Sequence, residues 1–163
     1  MINSEGFCNS TKLPDFLFQL IIAGALSSAF IPIFSDYLVK NKENDAYKLA
    51  STLLLVGLLI FSFFAIILFV FAREFSAIIA PGFSGEQLDL MATLTRIVIF
   101  GELLFIIGSF LSAILQSYNH FFIPGIASAS YNLGIILGIL FLSPFVGIFS
   151  AAYGVIFGAL IFV

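Results

Sequence analysis

The sequence has 163 residues, of which 61% are hydrophobic and 9% charged, with mean hydropathy +1.19 and net charge −3. A soluble domain carries roughly a quarter of its residues charged, so this chain cannot cover its apolar surface with polar groups and a bilayer is the solvent that fits. The acidic balance gives no basis for nucleic acid or for strong pairing with anionic lipid, and the single Cys8 excludes an internal disulfide framework and a multi-cysteine metal site.

The start, MINSEGFCNSTKLPD, lacks the basic region followed by an apolar run that a cleaved signal needs. Residues 1–12 read as a tail or the start of the first helix, and the first span acts as its own insertion signal. That helix is expected near 13–38. Its core, FLFQLIIAGALSSAFIPIFS (16–35), has no charge between Asp15 and Asp36 and would extend about 30 Å. It carries Gln19, Gly24, Ser27, Ser28 and Pro32, a polar and small-residue content that a plain anchor does not need. A short polar connection, VKNKENDAY (39–47), leads to a second helix near 47–72, where 24 uncharged residues separate Lys48 from Arg73.

The next connection, 73–93, contains FSAIIAPGF (75–83), which is too short to span and is expected to cap the bundle or lie along the interface. A third helix is expected near 94–116. The 61 residues after Glu102 carry no Asp, Glu, Lys or Arg. QSYNHFFIPG (116–125) and SPFVG (143–147) divide them into helices near 124–142 and 148–163. The fold class expected is therefore all-α, a bundle of about five transmembrane helices over 13–163. Strands are excluded because the runs are too long and lack the alternation of a barrel. The last helix stops at GALIFV without an interfacial anchor, so the chain is expected to be truncated there. Lysine density, with Lys40, Lys42 and Lys48 close together, favours 39–48 as the cytoplasmic connection.

Within the spans, Gly134 and Gly138 form GxxxG, and Ser150, Gly154 and Gly158 form two overlapping small-xxx-small steps that let backbones approach closely. Glu102 is the sharpest single residue. It sits about six residues past Arg96, and a carboxylate facing lipid in mid-span costs several kcal/mol. Ser109 and Gln116 follow at seven-residue steps on one stripe, with Ser112 beside it. The stripe reads either as a wet cavity wall holding a proton or cation, or as an acid near enough to the interface to reach water or Arg96. Gln19, and Ser128 with Asn132 four positions on, read either as helix–helix hydrogen bonders or as substrate contacts. Pro32 frees a carbonyl one turn earlier and can bend its helix. No HExxH, GxSxG or phosphate-loop pattern occurs, and His120 has no ligand-like neighbour in sequence, so neither an enzyme nor a metal or cofactor site is expected.

In order along the chain, LPDFLFQLIIAGALSSAFIPIFSDYL (13–38), APGF (80–83), LTRI (94–97), ILQSYNHFFIPGIASASYNLGII (114–136) and GIFSAAYGVIFGAL (147–160) resemble the MurJ (MviN) lipid II flippases. These belong to the multidrug/oligosaccharidyl-lipid/polysaccharide exporter superfamily. The resemblance implies part of the amino-terminal lobe of a fourteen-helix flippase, corresponding to its second through sixth helices. It also implies a multi-pass location in the bacterial inner membrane, a cytoplasmic 39–48 connection, and a lipid-linked cell-wall precursor as substrate. The partners it implies are membrane lipid and the missing remainder of the flippase, with no cofactor. Substrate-pathway residues expected on this basis are Gln19, Ser27, Glu102, Ser109 and Asn132. Where the family commonly carries paired arginines and a glutamate, this chain has Phe18, Gln19 and Ala23. Cationic pyrophosphate contacts therefore do not carry over to this helix. The alternatives are another exporter of the superfamily, or a non-transporting assembly protein whose polar stripe is dry.

Overall fold

The computed structural model describes residues 10–12, 14–16 and 29–163. Cys8, Phe18, Gln19, Ala23, Gly24, Ser27 and Ser28 lie outside the described residues. Everything described is helix or connection, with no strand among the described residues. In chain order the helices are α1 (Ile31–Val39), α2 (Glu43–Val70), α3 (Ala72–Ile79), α4 (Gly85–Ser117), α5 (Phe122–Val146) and α6 (Phe149–Phe162). Residues 10–12 and 14–16 are also helical. Among the described residues three helices are long and apolar enough to cross a membrane, α2, α4 and α5, and α6 is a shorter apolar helix of 14 residues.

The chain's local chemistry explains where these helices stop. Ala29 and Phe30 form a wider, π-type turn just before Pro32, which lacks the donor that a regular turn would use. Asn41 closes the exit from α1 in the left-handed region, at φ 54°. The connection to α3 is a single residue, Phe71, and α3 buries Ala72 and Ser76 against the bundle. Pro81 and Gly82 then turn the chain, with Gly82 at φ 109°.

The structure corrects the start of the third expected helix. It begins at Gly85 rather than near 94, because Ser84 and Gln87 form a capping box in which the Ser84 backbone N–H donates to Gln87 Oε1 at 2.9 Å. At the far end of α4 the backbone reverses through Asn119 at φ 62°, and the His120 N–H donates to the Leu115 carbonyl at 3.0 Å. Pro124 is then harmless in the first turn of α5. The break expected at 143–147 falls later than the composition suggests. Helix α5 continues through Pro144 to Val146 and ends on Gly147, φ 57°, whose N–H still donates to Ser143 at 3.0 Å.

Two packing centres organise the bundle. In the first, α1 is wedged between α2 and α4. Phe34 and Phe61 are fully buried there, and the Phe30 ring lies 5.2 Å from Phe34 and 5.7 Å from Phe110. The second is the α5–α6 hairpin, which carries no large side chain at its closest approach. A Cβ built on Gly134 would fall 2.6 Å from Gly158 Cα, and one built on Gly138 would fall 2.5 Å from Gly154 Cα. Main chain therefore touches main chain, which is how helices gain van der Waals contact in a solvent as apolar as their own side chains. Gly101 and Gly108 of α4 instead admit side chains of α6, Val155 and Phe162. The outer faces of α2 and α5 remain covered in large apolar residues, among them Phe63, Ile66, Leu140 and Phe145, as lipid-facing helices should be.

Candidate functional site

Glu102 is 5% exposed and faces the bundle interior from α4. Its neighbour Gly101 lets α6 close against that side of the helix, since any Cβ there would meet Val155 Cγ1 at 2.8 Å. Counting along the helix, Arg96 to Gln116 spans about 30 Å, and Glu102 lies about 9 Å in from Arg96. Arg96 is not its partner. The guanidinium turns toward α2, where Nε donates to the Phe69 carbonyl at 3.0 Å and the group sits 5.5 Å from the Phe69 ring centre. Six residues of helix separate the two side chains by about 120° around the axis.

The partner of Glu102 comes from the other end of the sequence. Asp15, half-buried, lies close enough to Glu102 for the two carboxyl groups to interact electrostatically, and Thr11 lies beside Asp15. The same amino-terminal segment is tied to α4 about two turns earlier along that helix, where the buried Thr95 hydroxyl donates to the Ser10 carbonyl at 3.2 Å and to Met91 at 3.0 Å. The segment and α4 thus run side by side in the same direction, Ser10 beside Thr95 and Asp15 beside Glu102. Tyr131 of α5 lies close enough to interact electrostatically with both acids. Its ring packs 4.7 Å from Phe105, which in turn stacks on Phe162 at 4.6 Å. An aromatic wall therefore closes one side of the acidic pair. Glu102 Oε2 is buried and accepts no hydrogen bond.

The remaining stripe residues do not supply that oxygen with a donor. Ser109 is half-buried and its hydroxyl donates to its own helix, to Phe105 at 2.8 Å. Ser112 and Gln116 are likewise half-buried on α4. Asn132 is exposed on α5, where Nδ2 donates to the Ser128 carbonyl of its own helix at 3.0 Å. Sequence reasoning treated Asp15 only as the edge of a charge-free run and gave Tyr131 no role. Their one signal was the ionisable or phenolic group itself, within helices that also carry small residues.

At the opposite end of α4 the bundle is closed by a second polar contact. The hydroxyls of Tyr47 and Tyr118 lie 2.9 Å apart, with both rings edge-on to Phe34. Tyr47's hydrogen bond, followed by burial and the neighbouring Tyr47 and Glu43 charges, pushes the Tyr118 hydroxyl up to about 12. Beside it, the polar turn carries a shallow surface hollow of about 560 Å³ lined by Asn41, Lys42, Glu43, Asn44, Asp45 and Lys48.

Comparison with known proteins places this arrangement in context. The sequence profile of the family described as "Lipid II flippase MurJ" matches residues 3–162. The chain is 34% identical over 166 residues to the "Probable lipid II flippase MurJ" of Buchnera aphidicola subsp. Acyrthosiphon pisum, covering 97% of this chain and 32% of that protein. It is 32% identical over 160 residues to the protein of the same description from Buchnera aphidicola subsp. Schizaphis graminum, covering 95% of this chain and 31% of the relative. Against the "Lipid II flippase MurJ" of Burkholderia cenocepacia, identity is 30% over 171 residues, with 97% and 31% covered. The chain thus spans about a third of the length of the curated relatives it matches.

Proposed function

Because the chain belongs to the MurJ lipid II flippase family, we propose that it forms part of one lobe of a transporter that turns a lipid-linked peptidoglycan precursor from the inner to the outer leaflet of the bacterial plasma membrane. The observation that carries this reading is the match over nearly the whole chain, 3–162. The structure supports it with helices long enough to span and with Glu102 held inside the bundle rather than against lipid. No covalent chemistry is involved. The sugar–pyrophosphate head would cross in a hydrated cavity while its lipid tail stays among the acyl chains, and two lobes would rock about that cavity to expose it alternately.

In this reading Glu102 and Ser109 lie on the inner side of α4, and Asn132, exposed on α5, is available to whatever part of the complete protein lies beside it. Gln19 and Ser27 are assigned to the same pathway on sequence alone. The turn 40–48 faces the cytoplasm. The test is transport by the complete protein. Purified and reconstituted, it should move fluorescent lipid II across liposomes faster than protein-free vesicles, and it should sustain wall synthesis in cells depleted of their own flippase. Absence of both, in a protein that is folded and inserted, would overturn the assignment.

A further inference from the structure

At the lipid-facing seam of α2 and α4 we propose a binding site for one anionic phospholipid, whose phosphate meets Arg96 and whose acyl chain lies in the apolar groove beside it. The two helices run antiparallel, with Tyr47 of α2 against Tyr118 at one end and Phe69 against Arg96 and Phe100 at the other. From Phe69 inward they leave a groove of about 330 Å³, lined by Ala65, Ile66 and Phe69 of α2 and by Ile99, Phe100 and Leu103 of α4. Ala65 and Ile99 form its buried floor, and Ile66, Phe69 and Phe100 stand exposed as its walls.

Arg96 closes the outer end of the groove. Its Nε donates to the Phe69 carbonyl at 3.0 Å, in the last turn of α2, where a helix leaves carbonyls without donors of its own. The guanidinium also lies 5.5 Å from the centre of the Phe69 ring, so it is held from two sides. Among the described residues no carboxylate pairs with it. The ion pairs there are Lys40 with Asp36 and Arg73 with Asp89. Asp89 stands on the same face of α4 as Arg96, seven residues earlier, and its 2.6 Å contact with Arg73 balances its charge. Arg96 is thus a fixed cation without a counter-ion, and a guanidinium fork suits phosphate oxygens.

Depth agrees with charge. The stretch from Arg96 to Gln116 matches a hydrocarbon layer of about 30 Å, which puts Arg96 at the level of lipid phosphates. Leu103 lies about 10 Å deeper, so a lipid with its phosphate on Arg96 directs an acyl chain along the groove. The chain as a whole carries a net charge of −3, so the attraction belongs to this one cation and not to the surface at large. A zwitterionic head group brings its own ammonium, which competes with Arg96 for the phosphate charge. A head group of phosphate and alcohol alone leaves that charge to Arg96. An arginine that only capped α2 would need the Nε contact and nothing from the lipid, and would not distinguish the two.

The complete protein is reconstituted in phosphatidylethanolamine bilayers containing a trace of phosphatidylglycerol or phosphatidylethanolamine, each with the same photoactivatable diazirine tail, and the labelled peptides are mapped. Phosphatidylglycerol should label segments 62–69 and 99–103 about five times more than phosphatidylethanolamine, the factor that one basic side chain at a membrane surface supplies. Arg96→Gln should bring the two probes to equal labelling. Because that change also removes the cap on α2, Leu103→Trp is the independent check. It keeps Arg96 and fills the deep end of the groove, and it should reduce labelling of both segments by phosphatidylglycerol. Equal labelling by the two probes in the wild type overturns the site and leaves an ordinary lipid-facing seam. A preference that survives Arg96→Gln in an inserted, monodisperse protein overturns it as well, and so does labelling that Leu103→Trp leaves unchanged. Absence of label together with cross-links between two copies through this face would put protein in the groove and overturn the lipid. None of these readouts uses lipid II movement, so the site and the flippase reading stand or fall separately.

Discussion

Replacing Gly138 by alanine adds one methyl group where α5 and α6 are in main-chain contact, and the structure sets the size of the effect. The new Cβ would lie 2.5 Å from Gly154 Cα and 3.3 Å from its nitrogen, against an ordinary contact of 3.4–4 Å. The atoms met are backbone, so no side chain can rotate away and the helices must part by about 1 Å. Forcing a methyl into a packed contact of this kind costs about 1–3 kcal/mol. Alanine also gains up to about 1 kcal/mol of helix propensity, which must be subtracted by a control on the same helix. Gly125 provides it, because a Cβ there meets nothing within 4 Å. Equilibrium unfolding in mixed micelles should therefore place Gly138→Ala about 1–3 kcal/mol below Gly125→Ala. Equal stabilities for the two variants would refute the close main-chain packing of this hairpin.

The turn 40–48 should be cytoplasmic. In a Cys8-free background, an impermeant thiol reagent added to intact cells should label a cysteine at position 86 and not one at 44, and the reverse pattern would invert the topology. The Tyr47–Tyr118 hydrogen bond raises the folded-state pKa of Tyr118 to about 12, above the ordinary value of about 10. Its contribution to stability is thus fully present below about pH 10 and is lost as pH rises toward 12. Tyr47→Phe should move the ultraviolet titration of Tyr118 back toward the ordinary tyrosine range, and an unmoved titration would show that the hydroxyl contact is not its cause.

Charge-free runs made the existence of the long helices legible, because nothing else in a sequence of this kind marks where lipid begins. The spacing of Gly134, Gly138, Gly154 and Gly158 likewise announced close helix packing, since small residues four apart share a face, though not which helices would meet. The beginning of α4 was hidden by its own polarity. Glu86 and Asp89 read as a loop, yet they decorate the first turns of a continuous helix, and the Ser84–Gln87 pair that starts it was a signal left unused. The acidic pair was illegible for a different reason. Glu102 advertised itself as an ion in a span, but the residue it meets is chosen by how the helices pack, and no local pattern connects positions 15 and 102. Periodicity placed Ser109 on the Glu102 stripe but could not show its hydrogen bond, which goes to an acceptor one turn back on its own backbone.

Helix α4 has 33 residues, about 50 Å of continuous rod, against a hydrocarbon slab of about 30 Å. Its Ser117 end is held beside α1, where the Ser35 hydroxyl donates to the Ser117 carbonyl at 3.4 Å and Tyr118 meets Tyr47. Its Gly85 end is yoked to α3 by the 2.6 Å Arg73–Asp89 ion pair. Such a rod has mechanical advantage. A swing of about 10° about the Ser117 end carries the Gly85 end through about 9 Å, while Glu102, nearer the fulcrum, travels about 4 Å. A small angular displacement at the pinned end thus becomes a large stroke at the opposite surface, with α3 drawn along by its yoke.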